Sequence, residues 1–365
     1  MKILFAIKSM DGVGGGAERV LADVTSGLAE LGHCVLILTY DRPNGKSFYP
    51  LDSSINRISL SIGSSGQSST VCETLQRMLA MRRSIAEINP DIVVGFMHSM
   101  FIPLGLALAG TRIPVIASEH IGMEHYKYHP LEYLLLQLTP YLTKKIIVIS
   151  EKLRNGFNGH LKKDMTVISN PVCVPKISAG DRVDSNSSQK VILAVGRLVP
   201  QKDQKTLIDA YAMLADDFPS WNLRIFGDGE LQTDLEAQIK KIALEERIQL
   251  SSTTPDIGKE YLSAQIFVVP SLYESFGLAT AEALVYGLPA VGFADCSGTN
   301  EVIKHDKNGV LVQGEQRVVA LADGLRRLMS SSALRKRLGD AGPDSMADFS
   351  KKKICDKWEK LLQEL

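Results

Sequence analysis

Short runs of β-branched and aliphatic residues alternate with stretches of helical periodicity from one end of the chain to the other, and this alternation leaves few folds open. The runs are Lys2–Lys8, His33–Tyr40, Ile55–Leu60, Asp91–Phe96, Pro114–Ser118 and Lys145–Ser150, then Val191–Gly196, Trp221–Gly227, Arg247–Ser252, Gln265–Pro270 and Pro289–Phe293. Such a pattern predicts parallel sheets covered by helices. Between the two sets lies Ser178–Lys190, a Ser-, Asp- and Asn-rich stretch that reads as an interdomain linker. The chain is therefore expected to fold as two doubly wound α/β lobes, residues 1–180 and 181–345, followed by a terminal helix over 346–365. In that helix Phe349, Ile354, Trp358, Leu361 and Leu362 recur at helical spacing, as core residues do. Ser61–Thr70 reads as a mobile loop or lid inside the first lobe.

Charge narrows the class of partner. Forty-one basic side chains cancel 41 acidic ones, and 45% of the residues are hydrophobic, which excludes a disordered tail and a strongly basic nucleic-acid binder. The cancellation is uneven: residues 1–180 hold 18 basic and 14 acidic side chains and six of the seven histidines, leaving an acidic second half. Two unlike lobes can face different partners. Five scattered cysteines without a Cys-x-x-Cys pair read as reduced thiols of a cytoplasmic protein. Ile3–Ile7 is shorter than the roughly 7–15 apolar residues of a signal peptide and reads as a first buried strand.

In open α/β sheets ligands bind beyond the carboxyl ends of the strands. After the first strand Gly12, Gly14, Gly15 and Gly16 lead straight into a helix, where bare backbone and free N–H groups suit an anion. Gly12 to Ala17 also fits the dinucleotide fingerprint G-x-G-x-x-A, with Asp41 after the second strand as a ribose-binding acid. That keeps a nicotinamide- or flavin-dependent oxidoreductase open as an alternative, and tight packing of the helix as a third reading. The second lobe supplies more chemistry. Arg197 and Lys202 follow its first strand, and two cations there can neutralise a diphosphate. Phe226–Glu230 forms a Gly-flexed turn, and Glu274 and Glu282 stand eight residues apart around Ser275, Phe276 and Gly277, with a helix opening near Leu278.

Taken together, the GGGAER run from Gly14, the Gly196-Arg197-Leu198 run with Lys202, the Phe226–Glu230 turn and the Glu274–Glu282 element resemble family 4 glycosyltransferases. These are retaining, nucleotide-sugar-dependent enzymes of the GT-B fold, in which two Rossmann-like domains face a central cleft and the last helix crosses back to the first domain. The likeness runs from Gly14 to Trp358 and is strongest to bacterial enzymes that extend lipid-linked oligosaccharides or polysaccharide repeats, with a nucleotide-sugar epimerase of the same fold as the alternative. It implies that Arg197 and Lys202 hold the donor diphosphate and stabilise the departing nucleotide. Glu282 would bind the ribose and Glu274 the donor sugar, with the backbone of Gly227, Phe276, Gly277 and Leu278 close by. Gly15 and Gly16 would approach the phosphates from the first lobe, and His120, in a Ser118-Glu119-His120 element, would face donor sugar and acceptor. His98, Glu119, Glu18 and Arg19 are further acceptor-side candidates.

The chain contains no Asp-x-Asp, the pair that metal-dependent transferases use, so neither a cofactor nor a metal is expected at the diphosphate. Two segments depart from the family pattern: Thr299 stands where many relatives carry Pro, and Leu250–Pro255 lacks the usual hydrophobic-Gly pair beside the base. A UDP-sugar is the favoured donor, with a GDP-sugar as the other option. The resemblance implies a glycan acceptor, lipid-linked and reached at the cytoplasmic face of the inner membrane. His125–Lys145 mixes four tyrosines and a Leu-rich run with Lys127, Lys144 and Lys145. It fits peripheral contact with an anionic leaflet, or a buried helix with solvated ends.

Overall fold

The computed structural model describes residues 1–12, 14–43, 45–63, 70–173 and 189–365. Val13, most of the expected linker at 178–190 and most of the expected lid at 61–70 lie outside the described residues. Contacts divide the chain into two compact units, Met1–Pro171 with Lys351–Leu365, and Val172–Ser350. The division falls before residue 180, and the segment 346–350 belongs to the second unit rather than to the terminal helix.

The first unit is built on seven parallel strands in the order β3-β2-β1-β4-β5-β6-β7. They are β1 (Lys2–Ala6), β2 (Cys34–Thr39), β3 (Asn56–Ser59), β4 (Ile92–Phe96), β5 (Val115–Glu119), β6 (Lys145–Val148) and β7 (Met165–Val167). Ile3 to Ala6 and Ile92 to Phe96 are buried along their length, as expected of central strands covered on both faces. The helix Gly16–Glu30 buries Val20, Leu21, Val24 and Leu28. Against its Gly27 sits Cys355 of the terminal helix Lys351–Gln363, so close that a side chain at position 27 would collide with the sulfur. From the same helix Trp358 reaches the rings of Phe5 (6.0 Å) and Phe96 (6.4 Å).

The Leu-rich stretch does not form one buried helix. Pro130 and Pro140 each sit in the first turn of a new helix, where a missing N–H costs nothing. The result is three short pieces, Met123–Tyr126, Pro130–Leu136 and Thr139–Leu142. Tyr128, Leu131, Leu134, Leu135, Leu138 and Tyr141 are exposed on them.

The second unit has six parallel strands in the order β10-β9-β8-β11-β12-β13. They are β8 (Lys190–Val195), β9 (Trp221–Phe226), β10 (Ile248–Ser251), β11 (Ile266–Val269), β12 (Ala290–Phe293) and β13 (Gly309–Val312). The short edge strands β7 and β13 are absent from the sequence-based expectation. In each sheet the chain order reverses beside the first strand, between β1 and β4 and between β8 and β11. Loops diverge to opposite faces at such a point, and a crevice is left at the carboxyl edge.

Candidate functional site

In the second unit the loops after β8, β9 and β11 share one sheet edge, because parallel strands in register end together. Val195 lies opposite Phe226, and Phe226 opposite Ser251. The first two loops are laced by backbone hydrogen bonds: Gly196 N–H to Phe226 O (2.9 Å), Leu198 N–H to Asp228 O (2.9 Å) and Leu231 N–H to Leu198 O (3.0 Å). This approach is why glycine recurs in the Phe226–Glu230 turn. A Cβ at Gly227 would collide with the Gly196 carbonyl oxygen, and one at Gly229 with that of Leu198. Arg197, at the head of the loop, is exposed and makes no hydrogen bond or ion pair among the described residues.

Lys202 is placed differently. The turn Pro200–Lys202 carries it to the loop after β11, where its Nζ donates to Glu274 Oε1 at 2.5 Å. The Ser271 hydroxyl donates to the same oxygen at 2.7 Å. Leu272 N–H bonds Gln201 O, and the Gln201 amide returns a bond to Tyr273 O, both at 2.9 Å. Side-chain exposures of 19% for Lys202 and 9% for Glu274 make this a shielded pair, in which each charge depends on the other. Arg317 braces the arrangement from behind: its Nε lies 3.3 Å from Asp203 Oδ2, its Nη2 donates to Pro270 O at 2.8 Å, and its guanidinium covers the Phe293 ring at 3.6 Å. Sequence reasoning misses Arg317, Gln201 and Ser271. Arg317 and Asp203 are 114 residues apart, and no local pattern links them.

Glu282 stands farther along. Gly277 opens the helix Leu278–Val285 with φ +83°, a left-handed conformation that side-chain-bearing residues rarely adopt. Phe276 is buried against the ring of Phe349, 5.3 Å between centroids, which anchors the loop just before that helix. Glu282 Oε2 accepts the Tyr261 hydroxyl at 3.1 Å. The structure thus joins Lys202 to Glu274 and Gly227 to the Gly196–Arg197 backbone, and it holds Glu282 separately through Tyr261.

In the first unit Gly15 caps the helix Gly16–Glu30 without a side-chain hydrogen bond. A Cβ at Gly16 would meet nothing within 4 Å, so helix packing does not require glycine there. Asp41 is not placed to bind a ribose. Its buried carboxylate takes the Ser9 hydroxyl (2.5 Å), the Met10 amide (2.8 Å) and Arg57 Nη2 (3.2 Å), and so fixes the loop after β1. The dinucleotide reading loses its acid to that structural role.

His120 follows β5. Its ring stacks on Phe96 at 4.9 Å and its Nε2 lies 2.9 Å from Ser118 Oγ. Burial lowers its pKa to about 4, so the ring is neutral at pH 7. The neighbouring Glu119 is buried too, accepting the Tyr126 hydroxyl at 2.7 Å and the Ile121 amide at 2.9 Å, and burial lifts its pKa to about 7. It is an interior acid rather than one open to an acceptor. Arg19 pairs with Asp23 at 3.2 Å and lies over Tyr49.

Known proteins place this geometry. Residues 14–174 match the model of Glycosyltransferase Family 4, and residues 180–345 that of Glycosyl transferases group 1. An uncharacterised glycosyltransferase of Haemophilus influenzae is 26% identical, across 99% of this chain and 99% of its own. A Campylobacter jejuni enzyme, the GalNAc-alpha-(1->4)-GalNAc-alpha-(1->3)-diNAcBac-PP-undecaprenol alpha-1,4-N-acetyl-D-galactosaminyltransferase, is 24% identical over 100% of this chain and 99% of its own. Among solved structures, Anabaena HepE in complex with UDP and glucose superposes with a TM-score of 0.82 at 21% identity, over 100% of both chains.

Proposed function

We propose that this chain, which belongs to the family 4 glycosyltransferases of the GT-B fold, moves a hexose or N-acetylhexosamine from a UDP-linked donor to a hydroxyl of a lipid-linked glycan, with retention. The observation that carries the reading is the Lys202–Glu274 pair at the switch point between β8 and β11, with Arg197, exposed and unpaired among the described residues, at the head of the loop that carries Lys202. A nucleotide diphosphate needs cations at that edge, and a donor sugar needs a fixed carboxylate beside them. On this reading Arg197 and Lys202 bind the diphosphate, Glu274 meets the sugar hydroxyls, and Glu282, aimed by Tyr261, takes the ribose. The bond from the anomeric carbon to the β-phosphate oxygen breaks, and its electron pair stays on the phosphate. The acceptor oxygen bonds the same face of that carbon and gives its proton to the phosphate. UDP in HepE and an undecaprenol-linked substrate in the Campylobacter enzyme's name support the choice of donor and acceptor.

On the same reading the first unit takes the acceptor, with His120 facing donor sugar and acceptor, and the backbone of Gly15 and Gly16 serves the donor phosphates. Among the described residues no helix is long and apolar enough to cross a membrane. Tyr128 and Tyr141 are each 78% exposed, next to exposed Leu131 and Leu134 and to Lys127 and Lys144, a surface suited to anionic headgroups at the cytoplasmic face of the inner membrane. Thermal shift against UDP-, GDP- and ADP-sugars and NAD tests the donor. A ligand at 100 times its Kd adds about 2.7 kcal/mol, or about 5–10 °C. Stabilisation by NAD and by no sugar nucleotide would overturn the reading. Flotation with phosphatidylglycerol vesicles at low salt tests the surface, and an unbound wild type would remove it.

A further inference from the structure

Tyr126 has one hydroxyl proton and donates it to Glu119 Oε2 at 2.7 Å. Its oxygen also lies 2.9 Å from His98 Nδ1, so that nitrogen carries the proton of a neutral ring, and His98 Nε2 is left with a lone pair. This Nε2 stands 3.2 Å from Glu132 Oε2. Two acceptors at that distance repel unless a cation lies between them. The same Glu132 oxygen is 2.8 Å from His125 Nε2, and the ligand atoms of all three residues fall within 4.8 Å of one another. A tetrahedral ion with bonds of about 2.0–2.1 Å has ligand edges of about 3.3 Å, and the two edges to Glu132, 3.2 and 2.8 Å, lie near that length.

We propose that His98 Nε2, His125 Nε2 and the Glu132 carboxylate bind a divalent transition-metal ion of the zinc class. Two imidazoles and a carboxylate are a recurring zinc ligand set that leaves one position open. The Glu119–Tyr126–His98 relay is the outer shell that fixes a ligand's tautomer. Half-open side chains, 29% exposed at His125 and 39% at Glu132, let the ion enter from solvent. Position gives it a task. His98 begins a helix directly after β4, whereas His125 and Glu132 belong to helices of 4 and 7 residues, too short to persist alone. The ion ties both to the sheet edge and holds the exposed Leu131 and Leu134 face in place. Nothing in this depends on the transferase reading, because binding is measured without substrate.

The test titrates zinc into the metal-stripped full chain against a chromophoric chelator. One equivalent is expected to bind, at least 100-fold more weakly in His125→Gln and Glu132→Gln and about 10- to 100-fold more weakly in Tyr126→Phe. His129→Gln, whose ring stacks on His125 at 4.2 Å and supplies none of the three ligand atoms, loses at most a few-fold in affinity. Zinc raises the Tm of the wild type and of His129→Gln but not that of His125→Gln. Equal affinity in wild type, His125→Gln and Glu132→Gln, or an equal loss in His129→Gln, overturns the proposal. So does a wild type that binds no equivalent, since a proton would then hold His98 and Glu132 together.

Discussion

Lys202 Nζ and Glu274 Oε1 meet at 2.5 Å across 72 residues of chain, and the Ser271 hydroxyl shares the same oxygen. The contact locks the loop after β8 to the loop after β11 at the point where the strand order of the second sheet reverses. A lysine held there cannot wander to solvent, so on the proposed reading its charge is in place before a diphosphate arrives. Such fixed charge is what stabilises a departing phosphate.

The pair predicts a coupled response. Lys202→Met is expected to lower turnover about 100- to 1000-fold, the loss typical of removing one group that stabilises developing charge. Glu274→Gln lowers it too, because it frees Lys202 as well as changing the proposed sugar contact. The double variant loses much less than the product of the two single losses. Steady-state kinetics of all four proteins checks this, and strictly multiplicative effects would mean that the two side chains act independently.

Glycine serves two purposes in this chain, and substitution separates them. At Gly227 a methyl group meets the Gly196 carbonyl oxygen, so Gly227→Ala is expected to cost about 1–3 kcal/mol in urea unfolding. At Gly16 a methyl group meets nothing within 4 Å, and alanine suits a helix, so Gly16→Ala should gain about 0.4–1 kcal/mol. If the bare backbone at Gly16 receives phosphate, the more stable variant is the less active one, with a raised KM for donor. Unchanged kinetics would return this glycine to a purely conformational role.

The sequence shows which segments become central strands, because Lys2–Ala6, Ile92–Phe96 and Lys190–Val195 are short, dense runs of Val, Ile, Leu and Phe that can only be buried. The edge strand β7, of three residues, carries too little apolar surface to stand out. The order of motifs along the chain also points to the edge where Lys202 and Glu274 meet. What it does not contain is their pairing, the brace from Arg317 or the capture of Asp41 by Ser9, Met10 and Arg57. Those are tertiary contacts between residues with no periodic relation, and they exist only once the parallel strands have set which loops are neighbours. Of the two readings that the Leu-rich stretch allows, the buried helix fails for a local reason: its two prolines restart the helix and turn an apolar run outward.

His120 gives the first unit a pH-dependent stability whose sign follows from burial. Its pKa falls from 6.5 unfolded to about 4 folded, so between those values the unfolded chain binds more protons. The contribution of His120 is complete above about pH 6.5 and is lost as pH falls toward 4, on the order of 3 kcal/mol across the window. Neighbouring Glu119 acts in the opposite sense, since its raised pKa favours the folded state at the acid end. The measurement is therefore the difference in unfolding free energy between wild type and His120→Gln. That difference should shrink by this amount from pH 7 to pH 4, and a pH-independent difference would show that the fold leaves the pKa of His120 at its unfolded value.

Chelation separates the two units' chemistry. With Arg197 and Lys202 as the only charge neutralisation proposed for the diphosphate, transfer is expected to persist in excess EDTA at fixed temperature below unfolding. Complete loss of activity that manganese restores would place a metal at the diphosphate and refute that part of the reading. A lowered Tm that zinc restores, and that is already present in His125→Gln, would instead locate the ion at His98, His125 and Glu132.

The terminal helix connects to His120 through aromatic rings. Trp358 packs on Phe5 at 6.0 Å and on Phe96 at 6.4 Å, and Phe96 stacks on His120 at 4.9 Å. Trp358→Ala opens a cavity under β1 and β4, with an expected cost of about 3–5 kcal/mol. Below the new Tm the remaining folded protein should turn over more slowly, because the ring that sets the orientation of His120 has lost its backing. Donor affinity, carried on the proposed reading mainly by Arg197, Lys202 and Glu282, should change little. Trp358→Phe, which keeps a ring in the gap, should recover most of the stability and most of kcat. Equal donor-binding defects in both variants would show that the helix acts on the nucleotide rather than through Phe96 and His120.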